Sequence, residues 1–340
     1  MKFKTYKLHF TAPLHVSNQR SDGSISLKTI QSDTLYAALT ACLAKVGEEL
    51  PEGGDFGCAV SSLFPFYQRR DSEGKIVQQV YFLPMPLQAR MPELEDVALA
   101  KKVKKVQWVD CQLYDRLLQG EHFFDGKKGK TNQIQGSYLT ETILPQDKDG
   151  SHDFIKSDVL QRASIPDRTG KGDATPFYID RITFRYDSGL YFLATGDTTL
   201  LDKALRVLKQ EGFGTDRHVG FGYFDVEEDI LDITTPDDAD HMVSLSFFIP
   251  ENKEQMELML ASNFVAYDFA RRGGWITTEP YNTLRKNVVY GFMPGTVFRK
   301  ISSQQVFGKI VDLKPVVDTL TPEHSVWRNG KSIMLPIKMT

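Results

Sequence analysis

The sequence predicts an α+β protein of two units, and three observations predict it. Residues 1–232 run in the order strand, helix, strands, helix, strand; an acidic, proline-containing stretch follows at 233–241; and from 242 to 340 an opening strand and helix begin again. The first order is that of a ferredoxin-like, RRM-like unit with an antiparallel sheet, and its restart suggests a diverged second copy. Lys2 to Phe10 alternates with Tyr6, Leu8 and Phe10 on one side, the period of a half-buried strand. After a turn at Pro13 and a polar stretch from Ser17 to Ser26, Ser32 is placed to cap a helix whose Leu35, Ala38, Leu39, Cys42, Leu43 and Val46 follow helical spacing, with Gly47 as its stop. Leu63 to Tyr67 and Val80 to Pro84 flank the polar turn Arg70 to Gly74 as a hairpin.

From about 91 to 180 glycine, lysine and asparagine break the pattern, which predicts an insertion with a basic, glycine-punctuated part around Gly126 to Gly136. Strand character returns at Ile182 to Tyr186 and Leu190 to Leu193, joined by a turn at Asp187-Ser188-Gly189. Thr199 to Asp202 reads as a capping box opening a helix with Leu201, Ala204, Leu205 and Leu208 on one face. That helix runs into the glycine-rich loop 212–222, and an alternating strand follows from Phe221 to Val226. In the second unit Val243 to Ile249, Gly308 to Leu313 and Ile333 to Met339 read as strands and Lys253 to Ala261 as a helix.

The chain has 340 residues, 41% hydrophobic and 25% charged, ordinary for a globular protein with room for two modest cores. Its apolar runs are too short to span a bilayer, and its first residues lead straight into a strand, so a cytoplasmic protein without an export signal is expected. Cys42, Cys58 and Cys111 form no C-x-x-C pair, and reduced core fillers are expected rather than a disulfide or zinc site. A net charge of −3 argues against a globally basic nucleic-acid coat. Any RNA site must then be local. Cations do cluster, at Lys101 to Lys105, at Lys127 to Lys130, at Arg162, Arg168 and Lys171, at Arg271 and Arg272, and at Arg285 and Lys286. Each cluster taken alone also reads as a solvated face.

Four glycines, Gly212, Gly214, Gly220 and Gly222, exceed what a helix stop needs. Such a loop can adopt positive φ and aim backbone N–H groups at a phosphate, with Arg217 adding a charge and His218 a donor or stacking face. A long turn that is merely glycine-rich fits the spacing too. The dinucleotide fingerprint fails at Arg217, no G-K-[ST] completes a Walker loop, and the order helix, loop, strand is opposite to both. Around Arg271-Arg272-Gly273-Gly274-Trp275, charge, glycine and a flat ring interleave, which suits splayed RNA and equally a protein interface. Asp237, Asp238, Asp240 and His241 lie in the expected linker, and the calcium-like Asp147-Lys-Asp149-Gly150 lacks its closing glutamate, so no metal or other cofactor is expected.

The stretch Gly212 to Gly222 followed by Tyr223-Phe224 resembles the glycine-rich loop of the RAMP superfamily of CRISPR proteins, which are built from RRM-like domains. Phe10-Thr-Ala-Pro-Leu-His15, Ser32 to Leu39, Phe64 to Tyr67, Tyr81 to Pro86 and His324 to Lys331 narrow the resemblance to the fourth Csm subunit of type III-A effector complexes, over nearly the whole chain. The resemblance implies a non-catalytic subunit that binds the repeat-derived 5′ tag of crRNA, meets target RNA only indirectly, and abuts a backbone RAMP subunit. It also implies docking to the large polymerase and nuclease subunit, and a thumb hairpin pressed between guide and target. The insertion from Ser164 to Ile179, with Arg168 and Lys171, is the candidate thumb. His15, Ser32, Arg168, Lys171, Arg217, His218, Arg271, Arg272, Trp275 and the four loop glycines are the expected RNA contacts. The loop departs from the family pattern where Thr215 and Asp216 thin its basic residues. Two other readings stand beside this one: a RAMP endoribonuclease using His15, and a scaffold touching only protein.

Overall fold

The computed structural model describes residues 1–17, 25–87, 97–121, 133–146, 148, 150–164, 174–317 and 320–339. The first part contains β1 (Lys2–Phe10), α1 (Ser32–Lys45), β2 (Cys58–Val60), β3 (Phe64–Arg70) and β4 (Ile76–Pro84). It continues with α2 (Val97–Val103), β5 (Trp108–Asp110), α3 (Cys111–Leu118), β6 (Ile134–Gln135) and β7 (Tyr138–Leu139). Then come β8 (Ile155–Ser164), β9 (Thr175–Phe184), β10 (Asp187–Gly196), α4 (Thr199–Glu211) and β11 (Phe224–Asp232). The last part adds β12 (His241–Ser244), α5 (Lys253–Leu260), β13 (Phe269–Arg272), β14 (Val289–Phe292) and β15 (Val297–Arg299). It closes with β16 (Val306–Phe307), β17 (Ile310–Asp312), β18 (Trp327–Asn329) and β19 (Ser332–Ile337). The protein is mixed α+β, mostly sheet with few helices.

The main sheet runs β11-β1-β10-β3-β4-β5-β7-β6, with β2 also paired to β10. β1 sits antiparallel between β10 and β11, and β3 borders β10. One face carries α1 and α4, whose Leu35, Leu39, Leu43, Leu201, Leu205 and Leu208 are fully or almost fully buried with Tyr6, Leu8 and Phe192. At about 1.5–3 kcal/mol for each buried large side chain, either helix docks firmly. Residues 97–121 and 133–144 do not form a loose insertion. They extend the sheet past β4 and bury Val103, Val109, Leu113, Tyr114, Leu117 and Leu139. β8 and β9 form a separate two-stranded hairpin held to the body at its base.

Local chemistry corrects several expectations. Ser32 is the first helical residue rather than the cap, and Gln31 holds the cap position. The capping box at Thr199 is not made; Asp197 accepts from the Thr199 backbone N–H at 3.0 Å, while Asp202 receives Lys4, Tyr6 and Thr198. The turn before β10 falls at Tyr186, whose φ is 57°, and β9 pairs with β8 rather than β10. Gly189 lies inside β10, where a Cβ would sit 2.2 Å from the Leu8 carbonyl oxygen, so that glycine serves strand contact rather than a turn.

The second sheet runs β15-β12-β19-β16. The expected second copy is not reproduced. The edge beside the opening strand β12 is filled by β15, which precedes β16 and β19 in the chain, whereas β11, the last strand of the first unit, fills that place in the main sheet. Among the described residues this part has one helix, α5. The 233–241 stretch is tied down at several points while its Asp238 and Asp240 stay exposed: Ile233 is buried, its N–H bonds the Met1 carbonyl at 2.9 Å, the Thr234 N–H reaches Asp115 at 3.0 Å, and Asp238 pairs with Lys338 at 2.7 Å.

The two parts share one core. Phe3, Phe64, Phe66, Tyr81, Leu83, Tyr191 and Leu193, on the sheet face away from α1 and α4, pack with α3 and with Val243, Leu245, Val297, Ile333, Leu335 and Ile337. No helix among the described residues is long and apolar enough to cross a membrane.

Candidate nucleic-acid interface

The sheet face that an RRM-like unit would offer to bases is closed. Its apolar part is buried under α3 and the second sheet, and its remaining groups are spoken for. Lys7, 1% exposed, pairs with Glu227 at 2.6 Å and lies near Gln68 and Gln79, each at 3.4 Å. His9 contacts Glu227 at 3.0 Å and Asp187 at 3.5 Å. Any RNA contact would have to be made by loops and edges instead.

The glycine loop packs against the segment after β1. A Cβ on Gly214 would stand 2.3 Å from the His15 carbonyl oxygen, and one on Gly222 1.9 Å from that of Phe213, both at positive φ. The Thr215 N–H donates to the His15 carbonyl at 3.0 Å, the Gly222 N–H to the Pro13 carbonyl at 2.8 Å, and the Phe213 N–H to the Gly222 carbonyl at 2.8 Å. The close backbone approach expected for a phosphate is therefore largely an approach to the protein's own chain. Gly212 ends α4, and Gly220, at a φ of 94°, has open space around it. Arg217 and His218 are exposed in a single helical turn, 217–219, that projects from the loop.

His15 is buried, and its Nδ1 lies 2.6 Å from the Asp180 carbonyl oxygen, the geometry of an N–H donating to it. The Asp180 carboxylate in turn accepts from the Ser26 N–H at 2.8 Å and the Ser157 hydroxyl at 2.6 Å. Leu14 exchanges backbone hydrogen bonds with Ile182 of β9 at 2.8 and 2.7 Å. Residues 13–15 thus clamp the glycine loop on one side and the β8–β9 hairpin on the other. Arg162 of β8 strengthens the clamp, pairing with Asp216 at 2.8 Å and lying 5.0 Å over the Phe221 ring. Arg168 and Lys171 lie outside the described residues.

A second site lies between the start of α1 and the loop after β13. Its cleft, about 490 Å³, is lined by Arg271, Arg272, Trp275, Arg285 and Lys286 together with Val16, Gln31, Thr34 and Val288. Arg272 is not free for RNA. Its Nε lies 3.0 Å from the fully buried Asp33 carboxylate, which also takes Arg328 at 2.8 Å, and its guanidinium lies over Phe247. Ser32 is likewise withdrawn, its hydroxyl accepting the Phe247 N–H at 2.9 Å. These two expected contacts join the halves of the molecule instead.

Arg271, Arg285 and Lys286 have no carboxylate partner among the described residues, and Arg285 stacks 4.9 Å over Trp275. Burial, and secondarily the Arg328 charge, push Lys286 down to about 8, against the pull of Asp33. Such a lysine gains from an anion that restores its charge. The structure therefore gathers Arg271 and Trp275 with Arg285 and Lys286, in a cleft that no glycine-loop residue lines. In the sequence Arg285 and Lys286 are only one more basic pair; the Trp275–Arg285 contact that brings them together is a backbone bridge that no local pattern announces.

A family model described as the CRISPR Csm4 C-terminal domain matches residues 237–337. The CRISPR system protein Csm4 of Mycobacterium tuberculosis is 27% identical over 315 residues, covering 90% of this chain and 89% of its own. That of Streptococcus thermophilus is 23% identical over 352 residues, covering 98% and 100%. Among solved structures, a chain of a Csm3–Csm4 subcomplex of the type III-A interference complex matches with a TM-score of 0.59 at 18% identity, covering 99% of this chain and 100% of that one. A chain of a Csm1–Csm4 cassette in complex with pppApA matches at 0.57 and 18%, covering 100% and 99%. Residues 237–337 thus match the Csm4 C-terminal domain, and over nearly its whole length the chain is similar to Csm4 proteins of CRISPR systems, as its motifs in their expected order implied.

Proposed function

We propose that this chain is a non-catalytic subunit of a type III-A effector complex, which grips the repeat-derived 5′ tag of crRNA and docks a Csm1-like large subunit and a Csm3-like backbone subunit in the cytoplasm. The observation that carries the reading is the cleft at Arg271, Trp275, Arg285 and Lys286: three cations without carboxylate partners among the described residues, in a chain of net charge −3. Phosphates are the counterions such a site lacks. The similar chains found in a Csm1–Csm4 cassette and a Csm3–Csm4 subcomplex support the two protein partners. Within this reading, β1, α1, β3, β10, α4 and β11 of residues 1–232 make a ferredoxin-like unit, and the second unit starts after 241. The β8–β9 hairpin, rooted beside the glycine loop, is the thumb, and Arg217 with His218 is a second contact near its root.

Binding rather than cleavage is favoured because His15, the histidine best placed for an endoribonuclease, is buried with Nδ1 engaged by the Asp180 carbonyl. Incubating the purified chain with repeat RNA in chelator, with His15→Ala as control, checks this: the expected result is intact RNA in both samples. The RNA-gripping reading is tested by salt titration. On single-stranded RNA each lost phosphate contact lowers the log–log slope by about 0.7, so Arg271→Ala with Arg285→Ala should flatten it by roughly 1.4. An unchanged slope would remove the cleft from the reading.

A further inference from the structure

The β13–β14 hairpin shows one face to solvent. Its register sets Arg271 opposite Tyr290 and Phe269 opposite Phe292, and residues opposed in an antiparallel pair project from the same face. At one end of that face Phe292 turns into the core beside Phe248 and Phe298. Phe269, Tyr290 and the preceding Tyr267 stay 58%, 57% and 54% exposed, and the Phe269 and Tyr290 rings stand edge to face with centroids 6.3 Å apart. The other face holds the hairpin down: a Cβ on Gly291 would lie 2.3 Å from the Phe247 ring, and Arg272 reaches Asp33. The three exposed rings are therefore not what holds the hairpin in place. A contiguous aromatic patch of this kind in water marks a binding surface.

Charge decides what binds. Arg271 belongs both to this face and to the wall of the basic cleft, so the rings and the cations that lack a carboxylate partner among the described residues form one continuous surface. Single-stranded RNA supplies the flat, uncharged rings and the phosphates that such a surface complements. We propose that the outward face of the β13–β14 hairpin is a stacking platform for unpaired bases of RNA whose backbone enters the adjacent cleft. This deepens and rests on the RNA-gripping reading, placing bases on Tyr267, Phe269 and Tyr290 and phosphates by Arg271, Arg285 and Lys286.

The test uses the full chain with two probes, a twelve-residue oligouridylate and an abasic RNA of equal length, which keeps the phosphates and removes the bases. Phe269→Leu with Tyr290→Leu keeps apolar area but not flat faces. The pair should weaken oligouridylate binding about fivefold or more, as expected for lost stacking, with abasic RNA affinity and salt slope unchanged. Tryptophan at both positions should restore binding, which also shows that the site tolerates substitution. Unchanged oligouridylate affinity in the leucine pair, equal weakening on abasic RNA, or loss of a co-purifying protein with RNA binding intact would overturn the platform alone. Failure of the unaltered chain to bind either RNA would overturn the RNA-gripping reading as well.

Discussion

Lys286 and Asp33 show how single side chains set the character of the cleft. Lys286 titrates at about 8, below its ordinary range, because burial and Arg328 disfavour its charge. A bound phosphate favours the protonated form, so affinity is full below about pH 8 and falls as the pH rises through it, by at most about tenfold per unit for one proton. RNA affinities at pH 7 and pH 9 should show this fall in the natural chain and lose it in Lys286→Met. Asp33 is fully buried and receives both Arg272 and Arg328. Removing one partner of a buried charge cluster typically costs about 3–5 kcal/mol, and Asp33→Ala should lower stability by that order in chemical denaturation. A loss under 1 kcal/mol would mean that the two arginines find other counterions. Neither role was legible in the sequence, where Asp33 is one polar residue in a helix start and Arg272 half of a basic pair; each depends on a contact more than two hundred residues away in the chain.

At the scale of elements, the glycine loop and the hairpin divide what the sequence could and could not convey. Four glycines between a helix and a strand were visible, as was the need for positive φ and close backbone approach. What they approach was not, since the Pro13 to His15 segment meets the loop only through tertiary packing. The two kinds of glycine differ in a measurable way. Gly220→Ala meets open space and should cost about 1–2 kcal/mol for its left-handed backbone. Gly222→Ala adds a clash with the Phe213 carbonyl and should cost a further 1–3 kcal/mol or so, with the thermal midpoint reporting the order. Helices were legible from periodicity because α1 and α4 bury one regular stripe, and their caps were misread because Ser32 and Asp202 satisfy distant groups instead of their own helix ends. The stretch around β5, β6 and β7 read as loose because these strands are two or three residues long, too short for alternation to register.

For the whole molecule, the decisive feature is that the sheet face opposite α1 and α4 is buried by α3 and the second sheet. The first half's order of elements was readable because its helices and strands follow one another locally. The second half was not, because β15 takes an edge beside β12 by long-range pairing, and the sequence only repeats its opening strand and helix. With the flat face closed, what the proposed reading leaves for RNA is loops and edges: the cleft and aromatic hairpin, the loop at Arg217 and the root of the β8–β9 hairpin. On the proposed reading, a subunit of this shape holds one RNA strand end and leaves its remaining surface to protein partners. The measurement to make is to isolate the chain under mild conditions from its native host, extract the bound RNA and sequence both ends. Uniform 5′ ends beginning in CRISPR repeat sequence, together with a co-purifying large subunit, are predicted, and they should be lost with Arg271→Glu and Arg285→Glu. Absent RNA, or RNA with scattered 5′ ends, would contradict the assignment and leave a subunit that touches only protein.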